Sequence, residues 1–261
     1  MANIHPSSIV SDQTELAEDV VIGPFCIVEG DVTIASGTRL LSHVIVGSDY
    51  GKVVIGSENQ IYPHSVIGGP PQDLSYTDQK TELHIGDRNI IREGANINLG
   101  TEKGGSLTKI GSDNLIMSLV HIGHDVQIGS NTVIASSSNI AGHCELADHV
   151  KVGGMVGITQ FCRLGEHSYV AGVTAINKDV LPYTIAQGNW ATMRAPNKVG
   201  MDRFGYSKEE IQQVSRAIRI VTKGGHTKEE AVERIKKECG ELPPVLNIIN
   251  FIEKSSRGLA I

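Results

Sequence analysis

An aliphatic side chain recurs every sixth residue, without a break, at Ile110, Ile116, Ile122, Ile128, Ile134, Ile140, Leu146, Val152, Ile158, Leu164, Val170 and Ile176. Gly or Ala usually follows it, as at Gly111, Gly123, Gly129, Ala135 and Ala141. Four positions after the aliphatic stands a small or β-branched residue, such as Thr132, Ser138, Cys144, Val150 or Cys162. The same phase runs through Val10, Leu16, Ile22, Val28, Ile34, Leu40 and Val46, with shorter pieces at Ile55, Ile61, Ile67 and at Ile85, Ile91, Ile97. A period of six matches neither the 3.6 of a helix nor the 2 of a strand. It matches a coil of three flat faces, with aliphatics pointing inward and small residues permitting the corners. Three hexads close an 18-residue turn, and turns stack as parallel strands about 4.8 Å apart. Roughly 25 hexads predict about eight turns, a prism on the order of 40 Å tall.

Two stretches break the phase, residues 68–83 and 100–109, and insertions in a solenoid leave the coil as loops that often form the binding face. The hexads stop after Asn189. Ser207-Lys-Glu-Glu210 and Thr227-Lys-Glu-Glu230 are capping boxes that open helical spacings, and Pro243-Pro244 opens a third. The expected organisation is a hexapeptide-repeat coil over 1–189 and a C-terminal helical domain over 190–261. Composition agrees: 29 glycines and only 4% aromatics suit a narrow interior lined with Ile, Val and Leu.

The net charge of −6 is unevenly spread. Residues 190–261 carry 13 basic and 9 acidic residues against 10 and 20 in the rest. Nucleic acid is therefore not an expected partner, while a local basic surface for an acidic one remains open, with Arg216, Arg219 and Lys223 on one helical stripe. There is no charged-then-apolar leader and no apolar run near 18 residues, so neither export nor a membrane span is expected. Four cysteines without CxxC spacing read as reduced thiols of a cytoplasmic protein.

The candidate chemistry lies in HIGHD, residues 121–125. Asp125 and His143 are 18 apart and so share a column on adjacent turns; His121 and His124 fall near the same edge. Three readings are level on spacing alone. The cluster is a polar ladder, a zinc site of His121, His124 and His143, or a general base, His124, held by a carboxylate.

Several segments, VIGPFCIV, PQDLSY, GSDNLIM, HIGHD, IAGH, QFC, PYTIAQGN and SSRGL, together resemble the bacterial acyl-[acyl-carrier-protein]–UDP-N-acetylglucosamine O-acyltransferases nearly end to end. The resemblance implies a left-handed parallel β-helix. It also implies a cytoplasmic homotrimer with sites between subunits, which needs no cofactor. Its reaction would move an (R)-3-hydroxyacyl chain from acyl carrier protein to the 3-hydroxyl of UDP-N-acetylglucosamine, the first step of lipid A biosynthesis. On this resemblance His124 is the base, Asp125 orients it, and the Gly142 N–H faces the thioester oxygen. Gln72, Asp73, His121, His143 and Gln160 line the sugar cleft, Asn197 and Arg203 hold the nucleotide, and Gly172 gates acyl length. Four positions depart from the family: Ser75 replaces a lysine, Asn98 and Thr159 replace histidines, and Val199 replaces a glutamate. They leave room for a 3-amino acceptor, acylated to an amide. A zinc hydratase of the carbonic-anhydrase kind is the rival enzyme class.

Overall fold

The structure, a computed structural model, describes residues 2–261. Short parallel strands wind into a left-handed β-helix with three faces. The second face is a nine-stranded ladder and the third an eight-stranded one. The first face is an eleven-stranded sheet that ends in an antiparallel hairpin of Thr184–Gly188 and Ala191–Pro196. Register along a column is 18 residues wherever the hexads are unbroken: His121 pairs with Asn139 and Asn139 with Gly157. The inward aliphatics are sealed, with Ile116, Ile122, Ile134 and Ile140 fully buried.

From Phe25 onward most corners turn on a residue in the left-handed region. Between the second and third faces these are Asp125 (φ 61°), His143 (φ 62°) and Phe161 (φ 64°). Asn, Asp and His tolerate that conformation better than other non-glycine residues, so a corner column is where the repeat accepts polar side chains. Inside the corner between the third and first faces runs a buried amide ladder. Asn59 Oδ1 accepts from Asn89 N and Nδ2 at 2.8 and 3.0 Å, and Asn89 Oδ1 from Asn114 N at 3.0 Å. Asn114 Oδ1 then accepts from Thr132 N and Oγ1, both at 2.7 Å. These side chains satisfy corner amides that would otherwise be stranded, at a cost of about 1–3 kcal/mol each.

All interruptions leave from one corner, between the second and third faces. Val46 to Ile55 spans nine positions instead of six, Ile67 to Ile85 eighteen, and Ile97 to Ile110 thirteen. The two long excursions are shorter than the broken hexad phase suggests. Strand Val66–Gly69 continues past residue 68 and strand Thr81–Ile85 already holds residues 81–83, so the first excursion is 70–80. Strand Leu107–Ile110 likewise reclaims residues 107–109, and the second excursion, 99–106, contains a 3₁₀ turn at Glu102–Gly104.

Beyond Asn189 the chain does not turn helical at once, because Ala191–Pro196 still belongs to the first face. Four helices follow: α1 (Lys198–Phe204), α2 (Lys208–Lys223), α3 (Lys228–Glu238) and α4 (Pro243–Lys254). The two capping boxes form as the sequence indicates, at Ser207/Glu210 and Thr227/Glu230. The α1 helix has no apolar period; its start is fixed by the Asn197 side chain, which accepts from Gly200 N. The C-terminal strap returns to the coil: Asp179 N donates to Gly258 O at 2.8 Å and Ser255 Oγ to Asp179 Oδ2 at 2.6 Å.

Candidate active site

His124 and Asp125 occupy the corner between the second and third faces, 3% and 4% exposed. The coil dictates the position: Ile122 points inward, Gly123 allows the turn to approach the next, and the following two residues form the edge. His124 Nδ1 lies 2.8 Å from Asp125 Oδ2. A carboxylate can only accept, so Nδ1 carries the proton and Nε2 has a free lone pair. Asp125 is held in turn by the second excursion, with Thr101 N donating to Oδ1 at 2.8 Å and Thr101 Oγ1 to Oδ2 at 2.6 Å. Burial pushes the Asp125 carboxyl up, but the hydrogen bonds from His124 and Thr101 outweigh it and hold it below the usual range.

Gly142 lies against the imidazole. A Cβ there would sit 2.6 Å from His124 Nε2. The Gly142 N–H donates to no acceptor among the described residues, although its carbonyl accepts from Phe161 N at 3.3 Å. His143 stacks on Phe161 with centroids 4.5 Å apart and meets the His124 ring edge-on at 4.9 Å. Its Nδ1 is 3.7 Å from Asp125 Oδ2. His121 donates from Nδ1 to Asn96 Oδ1 at 3.1 Å. Burial lowers both His121 and His143 below the ordinary imidazole value, so both are neutral at pH 7.

These groups open onto a groove of about 410 Å³ along the second face, lined by Gln72, His121, His124, Asn139, Gly142, Thr159, Gln160 and Trp190 among others. The structure thus gathers His124, Asp125, Gly142, His121, His143, Gln160 and Gln72 at one edge. Asp73 sits beside them in the first excursion, its carboxyl turned back to accept from Ser75 N at 2.8 Å and lowered chiefly by that bond.

Three residues fall elsewhere. Asn197 and Arg203 line a second groove of about 420 Å³ with His149, Lys151, His167 and Phe204, at the corner between the third and first faces. The two grooves share no residue. The Asn197 amide is already used in the fold, capping α1 and donating to His167 O at 3.0 Å. Gly172 belongs to the remaining corner, beside exposed Val173, and lines neither groove. The three-histidine zinc set is not assembled: the ligand atoms that come within 4.8 Å of one another belong to His124, Asp125 and His143, without His121. Both Asp125 oxygens and His124 Nδ1 are already hydrogen-bonded. On the α2 stripe, Arg216 is paired with Glu238 at 2.7 Å, leaving Arg219 and Lys223 without ion pairs among the described residues.

Sequence reasoning did not single out Thr101 or Trp190. Trp190 carried a signal, as the only tryptophan in an aromatic-poor chain. Thr101 carried none, since it meets Asp125 across 24 positions through an irregular loop.

Comparison with known proteins agrees with this fold. The profile of UDP-N-acetylglucosamine O-acyltransferase domain 2 matches residues 179–260, and that of the bacterial transferase hexapeptide, six repeats, matches 107–142. The acyl-[acyl-carrier-protein]–UDP-N-acetylglucosamine O-acyltransferase of Thermodesulfovibrio yellowstonii is 39% identical over 99% of both chains. Among solved structures, the UDP-N-acetylglucosamine O-acyltransferase of Moraxella catarrhalis superposes with a TM-score of 0.94 at 40% identity, covering 99% of each chain. The UDP-N-acetylglucosamine acyltransferase of Campylobacter jejuni does so with 0.92 at 34%, again over 99% of each. With that identity maintained over the whole length, the chain belongs to the acyl-[acyl-carrier-protein]–UDP-N-acetylglucosamine O-acyltransferase family.

Proposed function

We propose that the protein transfers an (R)-3-hydroxyacyl chain from acyl carrier protein to the 3-hydroxyl of UDP-N-acetylglucosamine, opening lipid A biosynthesis in the cytoplasm. The observation that carries the mechanism is the buried His124–Asp125 pair with the Nε2 edge of the ring against Gly142. An alcohol is a poor nucleophile at neutral pH, so His124 Nε2 takes its proton as the oxygen attacks the thioester carbonyl. The oxyanion of the tetrahedral intermediate accepts from Gly142 N–H, a contribution typically worth about 10²–10³ in rate. When the intermediate collapses, the carbon–sulfur bond breaks and the His124 proton passes to the departing thiolate of the carrier. Neutral His121 and His143, with Gln72, Asp73 and Gln160, surround the sugar.

The separation of the two grooves supports a shared site in a homotrimer. A face of the prism, six residues or about 20 Å of strand, divides His124 from Asn197 and Arg203. A nucleotide-sugar that used both sets would take them from two protomers, as a closed three-fold ring supplies. Exposed Phe25, Leu119, Met155 and Val173 along the remaining corner would be covered by the same assembly. Gly172, beside Val173, would then gate the acyl chain from that corner.

The test is mass spectrometry of products from hydroxyacyl carrier protein offered with UDP-N-acetylglucosamine or its 3-amino analogue. An ester on the natural sugar, lost in His124→Ala, is expected. Acylation of the amine alone would move the acceptor to the analogue. That reading draws on Asn98 and Thr159, where the family carries histidines.

A further inference from the structure

We propose that Thr101 is a positioning residue, holding both oxygens of the Asp125 carboxylate so that the His124 proton stays on Nδ1. The inference rests on the reading of His124 as the base. The coil itself fixes only the backbone of Asp125, through a bond from its N–H to Thr108 Oγ1 at 2.8 Å. The carboxylate plane is left to rotate, and a rotated carboxylate would release the imidazole. One residue removes that freedom: Thr101 donates to Oδ1 from its backbone and to Oδ2 from its hydroxyl.

Thr101 is itself held firmly. It is 4% exposed, and its carbonyl accepts from Gly104 N at 3.0 Å and from Ser106 N at 2.8 Å. Gly104 completes the clamp from above, because any Cβ there would overlap the Asp125 carboxyl. The second excursion thus lays backbone and one hydroxyl directly on the carboxylate. The ionisable groups that face the pair are His143 at 3.7 Å, His121 across the groove, and Asp73 on the first excursion, with Lys103 beyond it. None of these donates to an Asp125 oxygen within 3.5 Å, so none can replace Thr101.

The experiment measures kcat, KM for the UDP-sugar and the pH profile of kcat/KM in Thr101→Val, Thr101→Ser and Asp125→Asn. Thr101→Val keeps the shape and removes the hydroxyl. Losing one hydrogen bond to a charged group should lower kcat about tenfold to a hundredfold with KM little changed. The acid limb should move to higher pH, because a carboxylate with one donor fewer draws the His124 proton more strongly. Thr101→Ser should restore both quantities. Gly104→Ala, which leaves Thr101 intact but lifts the loop off the carboxyl, should reproduce the valine phenotype.

Normal kinetics in Thr101→Val or in Gly104→Ala, alongside an inactive Asp125→Asn, would overturn the clamp and leave the base in place. A loss that serine does not rescue, with the acid limb unmoved, would reduce Thr101 to a folding residue. Full activity in Asp125→Asn would remove the base reading and the clamp with it.

Discussion

Replacing Asp125 by asparagine changes one atom of the side chain, and the structure dictates which way the amide must face. The Thr101 backbone N–H points at Oδ1 from 2.8 Å and cannot rotate away. An amide nitrogen at that position would set donor against donor in a buried site, so the asparagine oxygen occupies Oδ1 and its NH₂ occupies Oδ2. Thr101 Oγ1 can turn its lone pair toward that NH₂, and the variant should remain folded. His124 Nδ1 then faces a donor and must accept, which moves the imidazole proton to Nε2. A ring protonated at Nε2 cannot take the proton of an attacking alcohol. The expected loss is that of a general base, about 10²–10⁴ in kcat, equivalent to roughly 3–5 kcal/mol of barrier. KM for the UDP-sugar should stay within a few fold, since the groove walls are untouched. Single-turnover transfer from hydroxyacyl carrier protein separates the chemical step from product release. Retention of more than about a tenth of the rate would refute both the orientation argument and the role of His124.

Three further outcomes can be checked. Mixing inactive His124→Ala with inactive Arg203→Ala protomers and re-forming trimers should return about a quarter of native activity, because random assembly pairs an intact His124 with a neighbour's intact Arg203 in that share of sites; no recovery would place both residues in one protomer's site. KM for the carrier substrate should climb several fold between about 50 and about 500 mM NaCl, and reversing Arg219 and Lys223 should mimic the rise at low salt; a carrier KM indifferent to both would move docking elsewhere. His167 is driven down to about 4 by burial and then by His149 and Lys151. Its folded value lies below the unfolded one near 6.5, so its contribution is complete above that pH. It is lost progressively as the pH falls toward 4, amounting to about 3 kcal/mol at most. The Tm of His167→Phe should therefore vary less over that window than the native Tm, and parallel curves would disprove the assignment.

The coil was legible because its cause is one-dimensional. Ile110 through Ile176 repeat a single steric demand, and no distant contact is needed to meet it. The His124–Asp125–His143 edge was legible for the same reason, since 18-residue arithmetic converts sequence into neighbours. Legibility stopped where partners come from outside the repeat. Ala191–Pro196 is a strand only because Thr184–Gly188 offers it an edge, and nothing in its own pattern announces that. Helix α1 depends on the Asn197 cap rather than on an apolar stripe. Spacing put Arg216 on a basic stripe but could not show Glu238, on the next helix, pairing with it. Nor could spacing show Thr101, which an irregular loop brings to both oxygens of Asp125.

Every extra residue leaves the coil at the corner that carries His124, while the amide ladder occupies a different one. Asn59 reaches Asn89 across 30 positions, Asn89 reaches Asn114 across 25, and Asn114 reaches Thr132 across 18, yet each makes the same kind of bond. The scaffold therefore does not register how much chain is spent at the reactive edge. Loop length there is a free variable: residues can be added to or removed from 70–80 and 99–106 without re-registering a single inward aliphatic. A lineage, or an engineer, can reshape what the groove accepts by editing one corner while the rest of the prism folds unchanged.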